Sequence, residues 1–459
     1  MPEIECVVDG SITLLSPHPK VHERLRVELS LPNPEFTRAV IRKAPTADID
    51  PRRHATVELP SGLRVPRGAV AIVRKVIEEE GHSVRLTDQR SLGDPIFVPK
   101  REYALRDYQA EGSEGLVKTL QGLVVLPCGG GKTMLGAACI AEVSRTALVV
   151  VHTSDLLDQW VETIDEKLGI KAGVIHRGKT HLRGVTVAVI NTLNALLSEL
   201  PSVGRSWGLV IVDEAHRVPA AMLQSALARL PGRWRVGLTA TPDREDGLGS
   251  WVDWSFGPRL TERSAQQLVD RGWLTMPTVE AVESRFKFNW QGPDKRRLAA
   301  LTEAIVGDEE RNTLIVRLVA KTQSIGQSAL VLSNHVEHCN LLAAKIGREA
   351  LAVTSKTPRA ERRTAFEDFR SGKLPVMVST QLAHEGVDVP RLGAIVLALP
   401  ERAKSRTIQK TGRLMRNFPG KKPVLYDVVD HDDETLYSRW KARRATYKKI
   451  GIEVRETCQ

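Results

Sequence analysis

The fold of this chain is decided by one stretch, Leu123-Val124-Val125-Leu126-Pro127-Cys128-Gly129-Gly130-Gly131-Lys132-Thr133. Its first four residues are all apolar, as expected of a parallel strand that is covered on both faces. The three successive glycines let backbone N–H groups turn toward one point without a Cβ in the way. A helix that begins after the glycines would add partial positive charge at that point. The stretch therefore predicts a phosphate-binding loop between a buried strand and a helix.

The loop ends in Gly-Lys-Thr, and both of its polar side chains have a chemical use. The ammonium group of Lys132 can reach the β and γ phosphates of a nucleotide, and the hydroxyl of Thr133 can ligate Mg²⁺. Leu126 stands where the P-loop pattern usually has its first glycine. We expect a site for ATP and Mg²⁺ whose phosphates lie against the backbone of Cys128, Gly129, Gly130 and Gly131.

A second constellation, Asp213-Glu214-Ala215-His216, directly follows the apolar run 209–212. Open α/β sheets bind ligands at the carboxyl ends of their strands, so both carboxylates are expected there. Asp213 can hold Mg²⁺ through its water shell, and Glu214 can polarise the attacking water. Alone, the pattern equally describes a solvated strand end. Together with the upstream loop, it predicts a hydrolytic site.

Apolar runs alternate with helical stretches along most of the chain, which is typical of parallel sheets with helices on both faces. The strand candidates are 123–126, 147–151, 185–190 and 209–212 in a first block, and 329–332, 351–353, 376–378 and 394–397 in a second. We predict an α/β fold with two such domains in tandem, 101–283 and 313–459, the second ending in a helix. A charged, helical connector would join them over 284–312.

The composition limits the partners and the compartment. Lysine and arginine number 66 against 55 aspartate and glutamate, a net charge of +11 that suits nucleic acid but also a merely soluble basic protein. Five cysteines without a C-x-x-C pair argue against a disulfide framework and against zinc. The N-terminus has no signal pattern, no apolar stretch is long enough to cross a bilayer, and no heptad repeat stands out. We expect a cytoplasmic monomer that does not enter a membrane.

Residues 1–100 contain no nucleotide motif and are rich in proline and arginine, with β-like runs at 26–29 and 56–59. We predict a small α/β accessory domain here. Its arginines either help to grip duplex or branched DNA or belong to a solvated scaffold that only packs on the rest. The residues concerned are Arg24, Arg26, Arg38, Arg42, Arg52, Arg53, Arg64 and Arg67.

Near the end of the second block, Gln409, Arg413 and Arg416 are spaced by four and three residues. On a helix, this spacing places them on one face. Two fixed guanidinium groups there can stabilise negative charge on a γ-phosphate. A solvated basic helix face would show the same spacing, so the chemistry depends on the other motifs of the chain.

Taken in order, these motifs resemble those of the superfamily 2 helicases over residues 101–430. The resemblance implies two RecA-like domains that share one ATP site, with Thr239-Ala240-Thr241 coupling hydrolysis to strand movement. It also implies nucleotide contacts by Arg106, Gln109, Gly386 and Asp388. It implies nucleic-acid contacts by His152, Thr153, Asn191, Thr192, Asn334, Ser355, Thr380 and Gln381.

One segment narrows the resemblance to the XPB-like helicases of compact bacterial or phage type. Arg244-Glu245-Asp246 is similar to the RED motif with which those proteins open or grip duplex DNA. The span 286–312 is too short for the long thumb insertion of eukaryotic members. The compact build is also similar to phage branch-migration helicases of the UvsW type. The phrases 31–36 and 65–68 resemble the leading domain of small bacterial and phage XPB-like proteins.

These observations predict an ATP-dependent DNA helicase or translocase that acts on duplex or branched DNA and tracks one strand. Repair, recombination or replication in a bacterial or phage-infected cell would be its setting. Two alternatives stay open. The chain is a nucleic-acid-binding switch that uses ATP without separating strands, or it is an RNA helicase, because Asp-Glu-Ala-His also occurs in RNA enzymes.

Overall fold

The computed structural model describes residues 3–99, 103–218, 220–240, 246–380, 389–399 and 410–457. Contacts within the chain define two compact units. The first comprises Met1–Pro127 and Gly131–Arg263, and the second comprises Cys128–Gly130 and Ser264–Gln459. None of the helices in the described ranges combines the length and the hydrophobicity needed to cross a membrane.

The N-terminal part of the first unit is built on a five-stranded sheet in the order β5-β6-β2-β1-β7, with β3 and β4 as a separate ribbon. Its elements are β1 Glu3–Val8, β2 Ser11–Leu15, α1 Pro19–Glu28, β3 Ser30–Pro32, α2 Pro34–Ile41, β4 Arg52–His54, β5 Val57–Leu59, β6 Gly62–Pro66, α3 Val70–Glu79 and β7 Ser83–Asp88. The strand expected at 56–59 is confirmed by β5. The one expected at 26–29 is wrong, because α1 covers it and buries Val21 and Leu25 one turn apart.

An eight-stranded sheet follows, in the order β11-β10-β12-β9-β13-β14-β8-β15, and only β10–β11 is antiparallel. Its strands are β8 Gln121–Val125, β9 Ala147–Val151, β10 Gly173–His176, β11 Lys179–His181, β12 Val185–Val189, β13 Leu209–Asp213, β14 Trp234–Thr239 and β15 Arg259–Glu262. Its helices are α4 Asp107–Thr119, α5 Lys132–Val143, α6 Ser154–Leu168, α7 Ile190–Glu199, α8 Ala221–Ala228 and α9 Ser250–Phe256. All four strands predicted for this block are confirmed.

Two buried arginines tie the N-terminal sheet to this parallel sheet. Arg67 donates to Gln121 Oε1 at 2.7 Å and to the carbonyl of Gly232 at 2.6 Å. Arg235 donates to the carbonyl of Gly10 at 2.9 Å. Burial holds the pKa of the Arg67 guanidinium well below its usual value. A DNA contact by Arg67 is therefore wrong, since its side chain lies inside the unit.

The second unit is built on a seven-stranded parallel sheet in the order β18-β19-β17-β20-β21-β16-β22. Its elements are α10 Ala265–Asp270, β16 Thr278–Glu283, α11 Asp294–Gly307, α12 Glu309–Gln323, β17 Ser328–Leu332, α13 Val336–Ile346, β18 Ala350–Val353, α14 Arg359–Ser371, β19 Val376–Ser379, β20 Leu392–Leu397, β21 Val424–Val429, α15 Glu434–Lys449 and β22 Val454–Thr457. The four strands predicted for this block and the C-terminal helix are confirmed. This part of the chain thus forms a second α/β domain.

The connector differs from the prediction at its start. Strand β16 pairs with β21 and β22, so the expected boundary at residue 283 lies inside the second unit. Residues 284–293 form no regular element, and α11 and the start of α12 supply the helical character that was expected. The sequence does not reveal this boundary, because β16 is a short apolar run like those of the first unit. Only its pairing with β21 and β22 assigns it to the second unit.

Candidate nucleotide and nucleic-acid sites

The phosphate-binding loop has the predicted setting, between the buried strand β8 and helix α5, which begins at Lys132. Gly129 and Gly131 have φ angles of +80° and +77°, a region that favours glycine. A Cβ on Gly131 would come within 2.2 Å of the amide nitrogen of Gln109. The ammonium of Lys132 donates to the carbonyls of Leu126 and Pro127 at 3.1 and 3.4 Å. The ammonium group of Lys132 therefore lies against the loop whose bound phosphates it is expected to contact.

Gln109 joins helix α4 to this loop. Its Oε1 accepts from the backbone N–H of Arg106 at 2.9 Å, and its Nε2 donates to the carbonyl of Gly131 at 3.1 Å. The amide keeps one further N–H and one further lone pair, which is what contact with an adenine edge requires. Arg106 Nη1 donates to the hydroxyl of Tyr108 at 2.7 Å. Contact of Arg106 and Gln109 with the adenine base stays a prediction. Gln109 also stabilises the phosphate-binding loop through its hydrogen bond to Gly131.

Asp213 ends β13 and Glu214 follows it, so both carboxylates lie at the carboxyl edge of the same sheet. Asp213 is buried; its Oδ2 accepts from the indole N–H of Trp160 at 2.9 Å, and its Oδ1 accepts from the backbone N–H of Glu214 at 2.9 Å. Each oxygen keeps a lone pair for the water shell of a metal. Glu214 has a left-handed backbone with φ +52°, an unfavourable conformation for a residue with a Cβ. Such strain is often retained at functional sites.

The two carboxyl groups have different acidities. Burial, and then the charge of Glu214, raises the pKa of Asp213 above its usual value. Burial would also raise the pKa of Glu214, but the contact with His216 and the charges of Lys132 and Arg217 outweigh it and lower that pKa. Glu214 is thus held as an ionised carboxylate, the state needed to polarise water. A divalent cation at Asp213 would favour its ionised form as well.

His216 links these carboxylates to the neighbouring strand β14. Its Nδ1 lies 3.2 Å from Glu214 Oε2 and 3.3 Å from the hydroxyl of Thr239. Thr239 ends β14 and opens the Thr239-Ala240-Thr241 motif, of which Thr241 lies outside the described residues. In sheet order, β14 stands between β13 and β8. Both predicted parts of the ATP site and the coupling motif therefore end at one edge.

The residues present fit ATP and Mg²⁺. Lys132 supplies an ammonium group and Thr133 a hydroxyl, at the N-terminus of a helix that favours phosphate. Asp213 supplies a buried carboxylate whose oxygens keep lone pairs for a hard cation. When bound, Mg²⁺ would neutralise charge on the phosphates.

The predicted nucleic-acid contacts of the first unit lie just beyond the ends of adjacent strands. His152 and Thr153 follow β9, and Asn191 and Thr192 open the helix after β12, which pairs with β9. Burial, and then the charge of Arg217, lowers the pKa of His152 to about 4, so its imidazole is neutral near pH 7. Arg244 and Glu245 lie outside the described residues. Asp246 is described, and its Oδ1 accepts from the backbone N–H of Leu248 at 3.2 Å.

The second unit shows the same arrangement. Asn334, Ser355 and Thr380 follow β17, β18 and β19, which are neighbours in the parallel sheet. Asn334 and Ser355 are exposed, whereas Thr380 is buried. Gln381, Gly386, Asp388 and Gln409 were also predicted as site residues and lie outside the described residues.

Arg413 and Arg416 stand on and just after a helical segment over residues 410–414, and both are half-buried. The segment is anchored at its end, because the N–H of Thr275 donates to the carbonyl of Met415 at 2.7 Å. Lys421 donates to the carbonyl of Arg416 at 2.8 Å and to that of Pro390 at 3.0 Å. Arg413 lies on this helical segment, whereas Arg416 lies two residues beyond its end in a bridge with Leu274. Their joint action on a phosphate stays a prediction.

Comparison with known proteins finds two helicase domains in this chain. Residues 102–244 match the model of the type III restriction enzyme res subunit, and residues 310–418 match that of the helicase conserved C-terminal domain. The "Putative DNA 3'-5' helicase Rad25" of Halobacterium salinarum is 30% identical over 404 residues, 84% of this chain and 64% of that protein. The "DNA 3'-5' translocase XPB2" of Sulfurisphaera tokodaii is 27% identical over 392 residues, 78% of this chain and 88% of that protein.

The chain carries two helicase domains and is similar over most of its length to XPB-like DNA 3'-5' helicases. The predicted resemblance and the two tandem α/β helicase domains are confirmed. This chain spans slightly less than two thirds of the Halobacterium relative. T4 UvsW is 14% identical, covering 99% of both chains, with a TM-score of 0.44 that adds nothing to the assignment.

Three contacts of polar side chains with predicted site residues were not expected, two in the first unit and one in the second: those of Trp160, of His216 as a link to β14, and of Lys421. Trp160 lies 53 residues before its partner Asp213, and its residue type suggests only a core position. His216 stands in a recognised motif, but its contact with Thr239 depends on strand order. Lys421 follows the motif by five residues and looks like an ordinary surface lysine. Each contact depends on the tertiary structure, and none has a local signal.

Proposed function

We propose that this protein is an ATP-dependent, Mg²⁺-dependent motor that translocates along DNA. The observation that carries the proposal is the shared carboxyl edge of the first parallel sheet. There the loop that ends in Lys132 and Thr133 follows β8, and the carboxylates of Asp213 and Glu214 stand at the end of β13. Phosphate-binding and water-activating groups on one edge are what nucleotide hydrolysis requires.

Different groups of the chain bind the phosphates and activate the attacking water. The loop N–H groups and Lys132 bind the β and γ phosphates, and Glu214 orients the attacking water and accepts its proton. The imidazole Nδ1 of His216 lies 3.2 Å from the Glu214 carboxylate. The sequence pattern supports Arg413 and Arg416 as the groups that stabilise charge on the γ-phosphate.

DNA is the proposed track because relatives are named DNA 3'-5' helicase and DNA 3'-5' translocase. The exposed Asn191, Asn334 and Ser355 at the strand ends are suited to hydrogen bonds with phosphates, which carry no sequence information. Binding is therefore expected to tolerate sequence changes and to weaken with salt.

The test compares steady-state ATP hydrolysis with duplex DNA, single-stranded DNA, RNA and no nucleic acid. Wild type should be stimulated by DNA. Glu214→Gln should bind ATP but lose at least about a hundredfold in turnover, since it removes a general base. Glu114→Gln, an exposed carboxylate on α4, is the matched control and should match wild type. Normal turnover by Glu214→Gln would refute its role, and stimulation by RNA alone would refute the DNA assignment.

A further inference from the structure

Strands β10 and β11 form a hairpin at the edge of the first parallel sheet, outside the sites described above. Its turn is the pair Arg177-Gly178, both left-handed with φ angles of +50° and +75°. Two left-handed residues make the tight turn typical of narrow hairpins. Every residue from Arg177 to Arg183 is exposed. The tip of the ribbon therefore projects from the sheet and packs against little else.

The pairing register places the tip beside the predicted nucleic-acid contacts. Ile175 pairs with Ala188, and Ala188 pairs with Val150 on β9. One residue onward, these parallel strands end at His176, Val189 and Val151, so Arg177 leaves the sheet at the same edge as Ile190 and His152. The hairpin is also tied to the loop after β9, because the ring nitrogen Nε2 of His176 lies 3.2 Å from the hydroxyl of Ser154.

The hairpin carries positive charge only. The segment 171–183 contains Lys171, Arg177, Lys179 and Arg183, two histidines and no acidic residue. Lys171 is paired with Asp165 at 2.5 Å, and Arg183 donates to a backbone carbonyl. In the described part of the chain, neither Arg177 nor Lys179 has a carboxylate partner. Two exposed cations thus stand unneutralised at the tip.

The dimensions suit an extended polyanion. Neighbouring strands lie about 4.8 Å apart, so β11 is about 14 Å from β9. One strand of B-DNA carries a phosphate about every 3.4 Å along its axis, so this width covers about four phosphates. A two-stranded ribbon also fits the major groove of duplex DNA.

We propose that the β10–β11 hairpin is a further DNA-binding element, in which Arg177 and Lys179 contact backbone phosphates of duplex DNA next to the segment bound by the loops after β9 and β12. The proposal rests on the proposed function. The alternative to DNA binding is that the same charges keep an exposed edge strand from pairing with other chains. The experiment separates the two.

The test is a salt titration of binding to a fluorescently labelled DNA duplex. The variant is Arg177→Asn with Lys179→Gln, in which Asn tolerates the left-handed turn position. Removal of two phosphate contacts should lower the slope of log K against log salt by about 1.8 and weaken binding severalfold. The control is Arg74→Asn with Lys75→Gln on α3, which removes two exposed charges elsewhere and should keep the wild-type slope.

Three results would overturn the proposal. One is a hairpin variant that binds DNA with the affinity and salt slope of wild type. If that variant also aggregates, its charges serve to keep the exposed edge strand from pairing with other chains. Another is an equal loss of slope in the control variant, which would mean that net charge acts without a specific site. The third is a wild-type protein that does not bind DNA, which would refute the proposed function itself. The wild-type arm therefore tells the two failures apart.

Discussion

The indole N–H of Trp160 on α6 donates to Oδ2 of Asp213 at 2.9 Å, and both side chains are buried. The ring also packs against the phosphate-loop helix, since a Cβ on Gly136 of α5 would come within 2.4 Å of it. Trp160 therefore braces the loop helix and orients the carboxylate proposed for the metal.

Replacing Trp160 with Phe keeps a ring but removes the donor. Partners that orient a metal-binding carboxylate typically contribute ten- to a hundredfold to activity, so we expect turnover to fall by roughly that factor and the Mg²⁺ requirement to rise. Unfolding free energy should fall by about 1–3 kcal/mol, because a buried acceptor loses its partner. ATP hydrolysis against Mg²⁺ concentration checks this. Trp440→Phe, a buried tryptophan of the second unit, is the control and should leave the Mg²⁺ requirement unchanged.

His338 predicts a specific pH dependence of stability. Its Nδ1 lies 3.0 Å from the hydroxyl of Ser333 and its Nε2 lies 2.8 Å from Asn312 Oδ1, so a neutral ring joins α12 to the loop after β17. Burial, and then the charge of Arg311, lowers its pKa to about 3. Because the folded-state pKa is lowered, the contribution is fully present above the unfolded pKa near 6.5 and is lost as pH falls.

Urea unfolding of wild type and His338→Gln at a series of pH values measures this contribution. Between pH 6.5 and pH 4, wild type should lose up to about 1.4 kcal/mol per pH unit more than the variant. The control is His431→Gln, at a half-exposed position. Parallel curves for wild type and His338→Gln would contradict the assignment of a neutral, buried imidazole.

Lys421 offers a third test, because it joins two backbone carbonyls in the second unit. It donates to Pro390, two residues after the predicted Asp388, and to Arg416. Burial, and then the charge of Arg416, lowers its pKa to about 8. Lys421→Met would leave both carbonyls without their donor, at a cost of about 1–3 kcal/mol each.

We expect Lys421→Met to lose roughly tenfold in DNA-stimulated hydrolysis through displacement of Arg416, consistent with a difference of about 1.4 kcal/mol in the barrier. Lys421→Arg should restore part of the activity, since a guanidinium can also donate to two carbonyls. The neighbouring Lys422 is exposed, and Lys422→Met is the matched control. Equal activity of the two Met variants would show that Lys421 does not position the arginine.

Much of the fold is predictable because a parallel strand covered on both faces must be apolar along its whole length. The apolar runs at β9 and β13 can therefore be recognised from the sequence. The glycines of the phosphate loop can be recognised as well, because their backbone conformation favours glycine. The segment 26–29 was misread because short apolar runs fit either a strand or the buried side of α1.

The sequence by itself determined the two α/β domains and the chemical groups that we propose to bind and hydrolyse ATP: Lys132, Thr133, Asp213 and Glu214. Only the tertiary structure decided which strands are neighbours, and therefore that Trp160 meets Asp213, that His216 meets Thr239 and that Arg67 is buried beside Gln121. The physical reason is that a motif depends on backbone geometry over a few residues. A hydrogen-bond partner tens of residues away depends on strand order, which no local pattern encodes.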